Sequence, residues 1–301
     1  MVYRGTYKGE SVAIKSISLQ ALGDLHKYLF SELQALQASR HTHLLKYYGA
    51  AHNVQASELY IVTEYMDGGT LSGVLAPSPT LAPLPWRLKV SLARAAAEGL
   101  ACLHASDLLH RDVKSENFLL DDSWRLVIGD YGFAKRVADL KGGLRQPGTI
   151  LGTECFMAPE VTFGEAYGEH ADVFSLGCVL AHILTGRAPG EGGFLERTPK
   201  NKFACDLGAL RAAMPPDAPP SFLECTCQCL AYEPEQRPNA EDVLLWLKDL
   251  EAELPDFKPC DIPKPSQIQA ARAAAAAAAE VSQGGAGDGE GGKGGEDFSG
   301  L

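Results

Sequence analysis

The sequence predicts an α+β chain in two unequal lobes, a small β-rich one followed by a larger helical one. Short β-prone runs fill most of the first sixty-odd residues, long helical stripes begin at Trp86, and the break Asp67-Gly68-Gly69 lies between them. The 301 residues are 46% hydrophobic and 22% charged, enough apolar side chain for a sizeable core and unlike a disordered or collagen-like chain.

The elements follow in order. Val2 to Tyr7 and Ser11 to Ile17 are β-prone runs around Lys8-Gly9-Glu10 and predict a hairpin. Leu25, Leu29, Leu33 and Leu36 form a helical stripe over 25–37. Leu59 to Tyr65 predicts a short apolar strand. Trp86 to His104 combines good helix formers with apolar Leu88, Leu92, Ala96, Leu100 and Leu103. Asp172 to Leu184 is almost wholly apolar and predicts a buried helix, while Glu241 to Leu250 is amphipathic. Ser221 to Leu230 predicts a core helix before Pro234, and it carries Cys225, Cys227 and Cys229. Alternate helical positions point roughly 200° apart and do not converge on one ion, so no metal is expected there. Seven alanines, Ala273 to Ala279, then lead into an end holding nine of the 31 glycines. An alanine run without an apolar stripe is marginal alone, and the glycines cannot repay their ordering entropy, so disorder is expected from about residue 271. The expected divisions are 1–66 for the small lobe and its link, 67–254 for the large lobe, and 255–301 for a C-terminal extension.

Formal net charge is −11, of which residues 271–301 contribute −3, so the acidity is spread over the chain. Such a balance argues against nonspecific contact with nucleic acid or anionic membrane. Met1-Val2-Tyr3-Arg4-Gly5 lacks the apolar core of a secretory signal, and no apolar run reaches the length of a membrane span. Eight cysteines in a chain of this length do not suggest a disulfide framework, and an intracellular, cytoplasmic protein is expected.

Two segments carry chemistry. His110-Arg111-Asp112-Val113-Lys114-Ser115-Glu116-Asn117 packs charged and polar groups ahead of apolar Phe118-Leu119-Leu120. Thirteen residues after Asn117, the strand-like Leu126-Val127-Ile128 delivers a carboxylate, an aromatic ring and a glycine in Asp130-Tyr131-Gly132. Each is weak alone; their order and spacing are informative together.

With these residues the chain resembles a eukaryotic protein kinase catalytic domain from residue 2 to about 250. Val12-Ala13-Ile14-Lys15 is similar to the lysine strand, and Glu32, 17 residues on, stands where the family has its ion-pair partner. His110 to Asn117 resembles the catalytic loop, and Asp130-Tyr131-Gly132 stands where most members have Asp-Phe-Gly. Gly152-Thr153-Glu154-Cys155-Phe156-Met157-Ala158-Pro159-Glu160 resembles the end of the activation segment, and Asp172 and Arg237 match structural positions. The resemblance implies a bilobal fold and transfer of the γ-phosphoryl group of ATP, with Mg2+, to Ser or Thr of protein substrates. It implies Asn117 and Asp130 as Mg2+ ligands, Lys15 on the phosphates with Glu32 holding it, Asp112 orienting the hydroxyl, and Lys114 steadying the transferred group. Thr63, Glu64 and Met66 would contact the adenine from the segment joining the lobes, with Val2, Ala13 and Leu119 as apolar walls. Asp172 would hold the catalytic-loop backbone, and Glu160 with Arg237 would brace the large lobe. The motif set is most similar to the tyrosine-kinase-like group, which mainly phosphorylates Ser/Thr.

The family's glycine-rich strand-turn-strand does not precede Val2, which leaves the first strand of the chain as an unpaired edge. The expectation is a kinase complete only in a longer parent; the alternative is a pseudokinase or fragment that works by binding partners. Thr149 is the only Ser or Thr between Asp130 and Thr153. The expectation is that its phosphorylation orders the segment through Arg111, otherwise unpaired beside Asp112, with help from Lys135 or Arg136.

Overall fold

The computed structural model describes residues 1–19, 40–76, 81–130, 135–136, 154–258 and 261–284. The expected helix over 25–37 lies outside the described residues. The small lobe is a four-stranded antiparallel sheet of β1 (Val2–Tyr7), β2 (Glu10–Ser18), β3 (Tyr47–Asn53) and β4 (Glu58–Glu64), in the order β1-β2-β4-β3. The β1–β2 hairpin turns at Lys8 and Gly9, both with positive φ, as expected from Lys8-Gly9-Glu10. Register decides which side chains face the cleft. Val2 pairs with Lys15 and Ala13 with Thr63, and strand side chains alternate, so Val2, Ala13, Lys15 and Thr63 share one face. Leu59 and Ile61 on β4 fall on that face too and form the lobe's small core with Ile17 and Tyr47. β1 is one of the two edge strands of this sheet among the described residues; Val2 is 63% exposed and Tyr3 50%.

The chain then crosses to the large lobe through Tyr65 and Met66. β5 (Gly69–Thr70) leads into α1 (Leu71–Leu75), capped by the Thr70 side chain accepting from the Gly73 N–H. α2 (Trp86–His104) begins after Pro85, and its Leu88, Leu92, Ala96, Leu100 and Leu103 are all buried, the stripe read from sequence. β6 (Leu108–Leu109), β7 (Phe118–Leu120) and β8 (Leu126–Ile128) follow, with β9 (Lys135–Arg136) pairing antiparallel to β6. After α3 (Pro159–Phe163), α4 (Glu169–Thr185) runs through the centre of the lobe, buried from Ala171 to Leu184. A helix apolar on every side must be packed on every side. α5 (Leu207–Ala212), α6 (Pro220–Cys229) and α7 (Ala240–Glu253) complete that packing. Gly177 sets the α4–α6 approach: a Cβ there would lie 2.8 Å from the Cys229 Cβ. Cys225, Cys227 and Cys229 are all buried on α6. No helix of the described residues is long and apolar enough to cross a membrane.

The C-terminal extension differs from expectation. α8 (Pro265–Gly284) is a 20-residue helix, so the disorder expected from about 271 is corrected for residues 271–284. Its first turns dock before the alanines begin. Ile268 is buried, the Gln269 amide donates to the Gly68 carbonyl (2.8 Å) and the Thr70 carbonyl (3.2 Å), and Arg272 donates to the Gly73 carbonyl. The Ser266 N–H donates to Asp122. Nucleation is the costly step of helix formation, and docking supplies it; alanine then propagates well. Gly69, with φ +71°, makes this seat: a Cβ there would meet the Gln269 side chain at 2.3 Å.

Candidate active site

The segment from His110 to Asn117 is held from below by Asp172 on α4. Its Oδ2 accepts the His110 N–H and its Oδ1 the Arg111 N–H, each at 2.8 Å. Two successive amides converge on one carboxylate because Arg111 adopts φ +68°, in the left-handed region. His104 Nε2 lies 3.1 Å from Asp172 Oδ2. Burial alone would raise the Asp172 carboxyl, but the His104 contact and the Arg111 amide outweigh it and hold it below its ordinary value. The His110 ring is fully buried; Nδ1 accepts the Asp112 N–H, so Nε2 is the donor to the Gly129 carbonyl at 3.0 Å.

These bonds place the charged side chains. Lys114 Nζ lies 2.7 Å from Asp112 Oδ2, and the Asn117 amide donates to the same oxygen at 2.9 Å and to the Asp112 carbonyl at 2.7 Å. Both side-chain contacts fall on Asp112 Oδ2 rather than Oδ1. Both Asn117 N–H groups are committed to Asp112, which leaves Oδ1 for a cation. The Gly129 N–H donates to the Asn117 carbonyl at 2.7 Å, fastening β8's exit to the loop. Asp130 follows with φ +54°, and its Oδ1 meets Lys15 Nζ at 2.6 Å across the two lobes. Asn117 and Asp130 thus present carboxylate and amide oxygens on neighbouring backbone, a donor set suited to a hard divalent cation. Lys15, Asp112, Lys114, Asn117 and Asp130 form one connected constellation. Glu32, the expected partner of Lys15, lies outside the described residues, as do Tyr131, Thr149 and Thr153.

The residues expected to contact adenine fall on β1 (Val2), β2 (Ala13), β4 (Thr63, Glu64), the link (Met66) and β7 (Leu119). Leu119 is half-buried between Phe118 and Leu120, which point into the large-lobe core, and packs beside Gly129. The Glu64 N–H is committed to the Lys46 carbonyl, and its carboxylate takes the Lys46 N–H and the Arg125 guanidinium, each within 2.8 Å. The Glu64 carbonyl accepts the Thr63 hydroxyl at 3.2 Å and keeps a second lone pair for a further donor. Arg125 also pairs with Asp121 at 2.9 Å, so one guanidinium braces the link between the lobes. Nothing in the sequence marked Arg125 for this role.

The premise that Arg111 would otherwise be unpaired is corrected: its Nε donates to the Tyr167 hydroxyl at 2.8 Å. Ser115 and His182 were also missed. The Ser115 hydroxyl and His182 Nδ1 share a 2.9 Å hydrogen bond beneath the catalytic-loop segment, both side chains buried. A histidine inside the otherwise apolar 172–184 run was the available signal. Burial pushes His182 down to about 4 from 6.5, so it is neutral at pH 7. Between these values the unfolded chain takes up a proton that the folded chain refuses. Stability is thus present above pH 6.5 and falls on acidification towards pH 4, by about 3 kcal/mol at most. His182→Gln is expected to flatten that part of a urea-midpoint profile against pH; an unchanged slope refutes the assignment.

Comparison with known proteins agrees with this geometry. The protein kinase domain family model matches residues 1–245. The RasGEF domain-containing serine/threonine-protein kinase X of Dictyostelium discoideum is 37% identical over 247 residues, covering 82% of this chain and 25% of that protein. The dual specificity testis-specific protein kinase 1 of Rattus norvegicus is 33% identical over 262 residues, covering 86% and 40% respectively. Its Homo sapiens counterpart is 35% identical over 232 residues, 76% of this chain and 36% of that protein. The chain spans a minor part of the length of each of these three relatives. With a family model over most of its length and a lysine, two aspartates and an asparagine joined as one constellation, the chain belongs to the protein kinase domain family.

Proposed function

We propose that this chain transfers the γ-phosphoryl group of ATP to serine or threonine hydroxyls of protein substrates. The observation that carries the reading is the meeting of Lys15 and Asp130 across the lobes, with Gly129, just before Asp130, bonded to Asn117, which bonds Asp112, the partner of Lys114. Phosphoryl transfer needs placement and charge neutralisation more than covalent help, and this set provides both. The Glu64 carbonyl and Met66 N–H would hold the adenine edge, between Ala13 and Val2 above and Leu119 below, with Thr63 behind. Lys15, held by Glu32, would take the phosphates. Mg2+, bound by Asn117 Oδ1 and Asp130, would neutralise charge on the phosphate oxygens. Asp112 Oδ1 would accept the incoming hydroxyl's proton while Lys114, already on Oδ2, steadies the transferring group.

Asp112→Asn keeps the shape and removes the base. The expected loss is about 10²- to 10⁴-fold in kcat, the usual contribution of a positioned base, read by radiolabel transfer to a protein substrate. Equal transfer by both proteins would sink the enzyme reading and leave a binding module.

Thr149 is proposed as a regulatory phosphorylation site. The β6–β9 pairing supports it, since it brings the backbone of Lys135 and Arg136 beside the strand that runs into Arg111. A phosphate would compete with Tyr167 for that guanidinium. Thr149→Ala is expected to lower transfer several-fold; full activity with no phosphate at Thr149 by mass spectrometry would rule this out.

A further inference from the structure

The chain leaves the link between the lobes through a narrow slot. Asp67 and Gly68 are the first two residues after Met66. A Cβ on Gly68 would lie 2.7 Å from the Pro265 Cβ and 2.8 Å from the Leu120 carbonyl oxygen, so only glycine fits there. β7 forms the inner wall: the Gly68 N–H donates to the Leu120 carbonyl at 2.9 Å, and Gly69 and Thr70 pair with Leu120 and Leu119. The first turns of α8 form the outer wall. β5 is an edge strand of its sheet, and an edge leaves backbone groups without a ladder partner. The Gln269 amide serves two of them, the carbonyls of Gly68 and Thr70 on either side of Gly69. A second tie runs through Asp122, whose carboxylate accepts the Ser266 N–H at 3.1 Å and whose own N–H donates to Asp67 Oδ1 at 2.9 Å.

We propose that α8 is an outer brace of the nucleotide site and that Gln269 is the positioning residue through which it acts. The strip from Asp67 to Thr70 begins next to Met66, whose N–H would take the adenine edge. Its far end pairs with Leu119, the floor of the same site. The Gly69 N–H donates back to the Met66 carbonyl at 3.4 Å, so a shift of the strip is felt at Met66. Two successive glycines lose more backbone freedom on folding than any other pair, and Gly69 stands at φ +71°, so the strip needs both walls to keep one conformation. Without the Gln269 amide the Gly68 and Thr70 carbonyls turn to water, and β7 holds the strip from one side alone. Asp112, Lys114 and Asn117 are fixed separately, by one another and by Asp172 beneath their loop. Loss of the brace therefore weakens the hold on ATP and leaves the transfer step and the protein substrate's site as they are.

The effect on ATP rests on the kinase reading; the brace itself does not. Two variants of the whole chain test both. Gln269→Ala removes the two donated bonds, and Gln269→Glu also sets a carboxylate against two carbonyls, so it is expected to do more. In radiolabel transfer, the KM for ATP is expected to rise about 3- to 10-fold in Gln269→Ala, the scale of one hydrogen bond's net contribution. The kcat and the KM for the protein substrate are expected to stay at the parent's values. A merely structural role would lower kcat in proportion to folded protein and leave the KM for ATP alone. That result, or equal rises in both KM values, overturns the positioning role. Ala274→Glu, exposed on the same helix beyond the seat, is expected to match the parent; a similar rise in the KM for ATP there assigns the effect to helix charge and overturns Gln269. Hydrogen–deuterium exchange reads the brace without activity. The Gly68 and Gly69 amides are expected to exchange several-fold faster in Gln269→Glu, and unchanged exchange overturns the brace. A parent chain that shows no transfer counts against the kinase reading, while the exchange rates still decide the brace.

Discussion

Arg237→Ala is expected to destabilise the chain by roughly 3–5 kcal/mol, the usual cost of stripping one member from a buried ion pair. The guanidinium grips Glu160 with two parallel bonds, Nη1 to Oε1 at 2.7 Å and Nη2 to Oε2 at 2.9 Å. Its remaining N–H groups go to the carbonyls of Ala231, His170 and Tyr232, so all five donors are used, and the Phe174 ring lies 4.9 Å beneath it. Truncation leaves the Glu160 carboxylate, 6% exposed, without its cation, and removes a donor from each of three carbonyls. Domains of this kind hold about 5–15 kcal/mol in total, so the variant should be largely unfolded at moderate urea. Arg237→Lys is expected to recover little, because one ammonium cannot serve five acceptors spread over a plane. A urea-denaturation midpoint within error of the parent for Arg237→Ala would refute the whole account of the brace.

Asp172→Ala is expected to cost about 3 kcal/mol or more, since hydrogen bonds to a charged group contribute about 1.5–3 kcal/mol each and two buried N–H groups would be stranded. It should also reduce transfer beyond the loss of folded protein. The Asp172 carboxylate holds Arg111 at φ +68°, and without it nothing favours that backbone over an ordinary one. Relaxation there moves Asp112, the next residue. Asp172→Asn separates the two effects: the side-chain volume stays, but an amide NH2 then faces either the His110 or the Arg111 N–H. Because the folded carboxyl titrates below the ordinary 3.8, its contribution is present above that pH and is lost only on further acidification. That window lies below the one set by His182, so a pH series separates them. Wild-type transfer per folded molecule in Asp172→Ala, with folding measured by circular dichroism, would refute the positioning role.

Much of the fold was legible because local pattern and tertiary demand coincide in it. The stripe over 86–104 and the apolar run over 172–184 could only be helices with one face or all faces covered, and they are. The candidate site was legible because Lys15, Asp112, Lys114, Asn117 and Asp130 keep an order and spacing that few other folds require. The errors fall where a distant contact outweighs local composition. Residues 271–284 have no apolar stripe and looked unable to order, yet the glycines at 68, 69 and 73 leave room for Pro265 and Gln269 to seat the helix. Arg111 looked unpaired because Tyr167, 56 residues on, cannot be assigned to it from sequence.

Residue type, order and spacing were enough to establish the two lobes and the family and to name the candidate charges, since each depends on local periodicity or on a short motif. Which groups touch had to come from the folded chain: Lys15 on Asp130, Ser115 on His182, α8 on its glycine seat. Their partners lie between 67 and about 200 positions apart, and no local preference encodes contacts over such separations; packing of the whole chain brings them together.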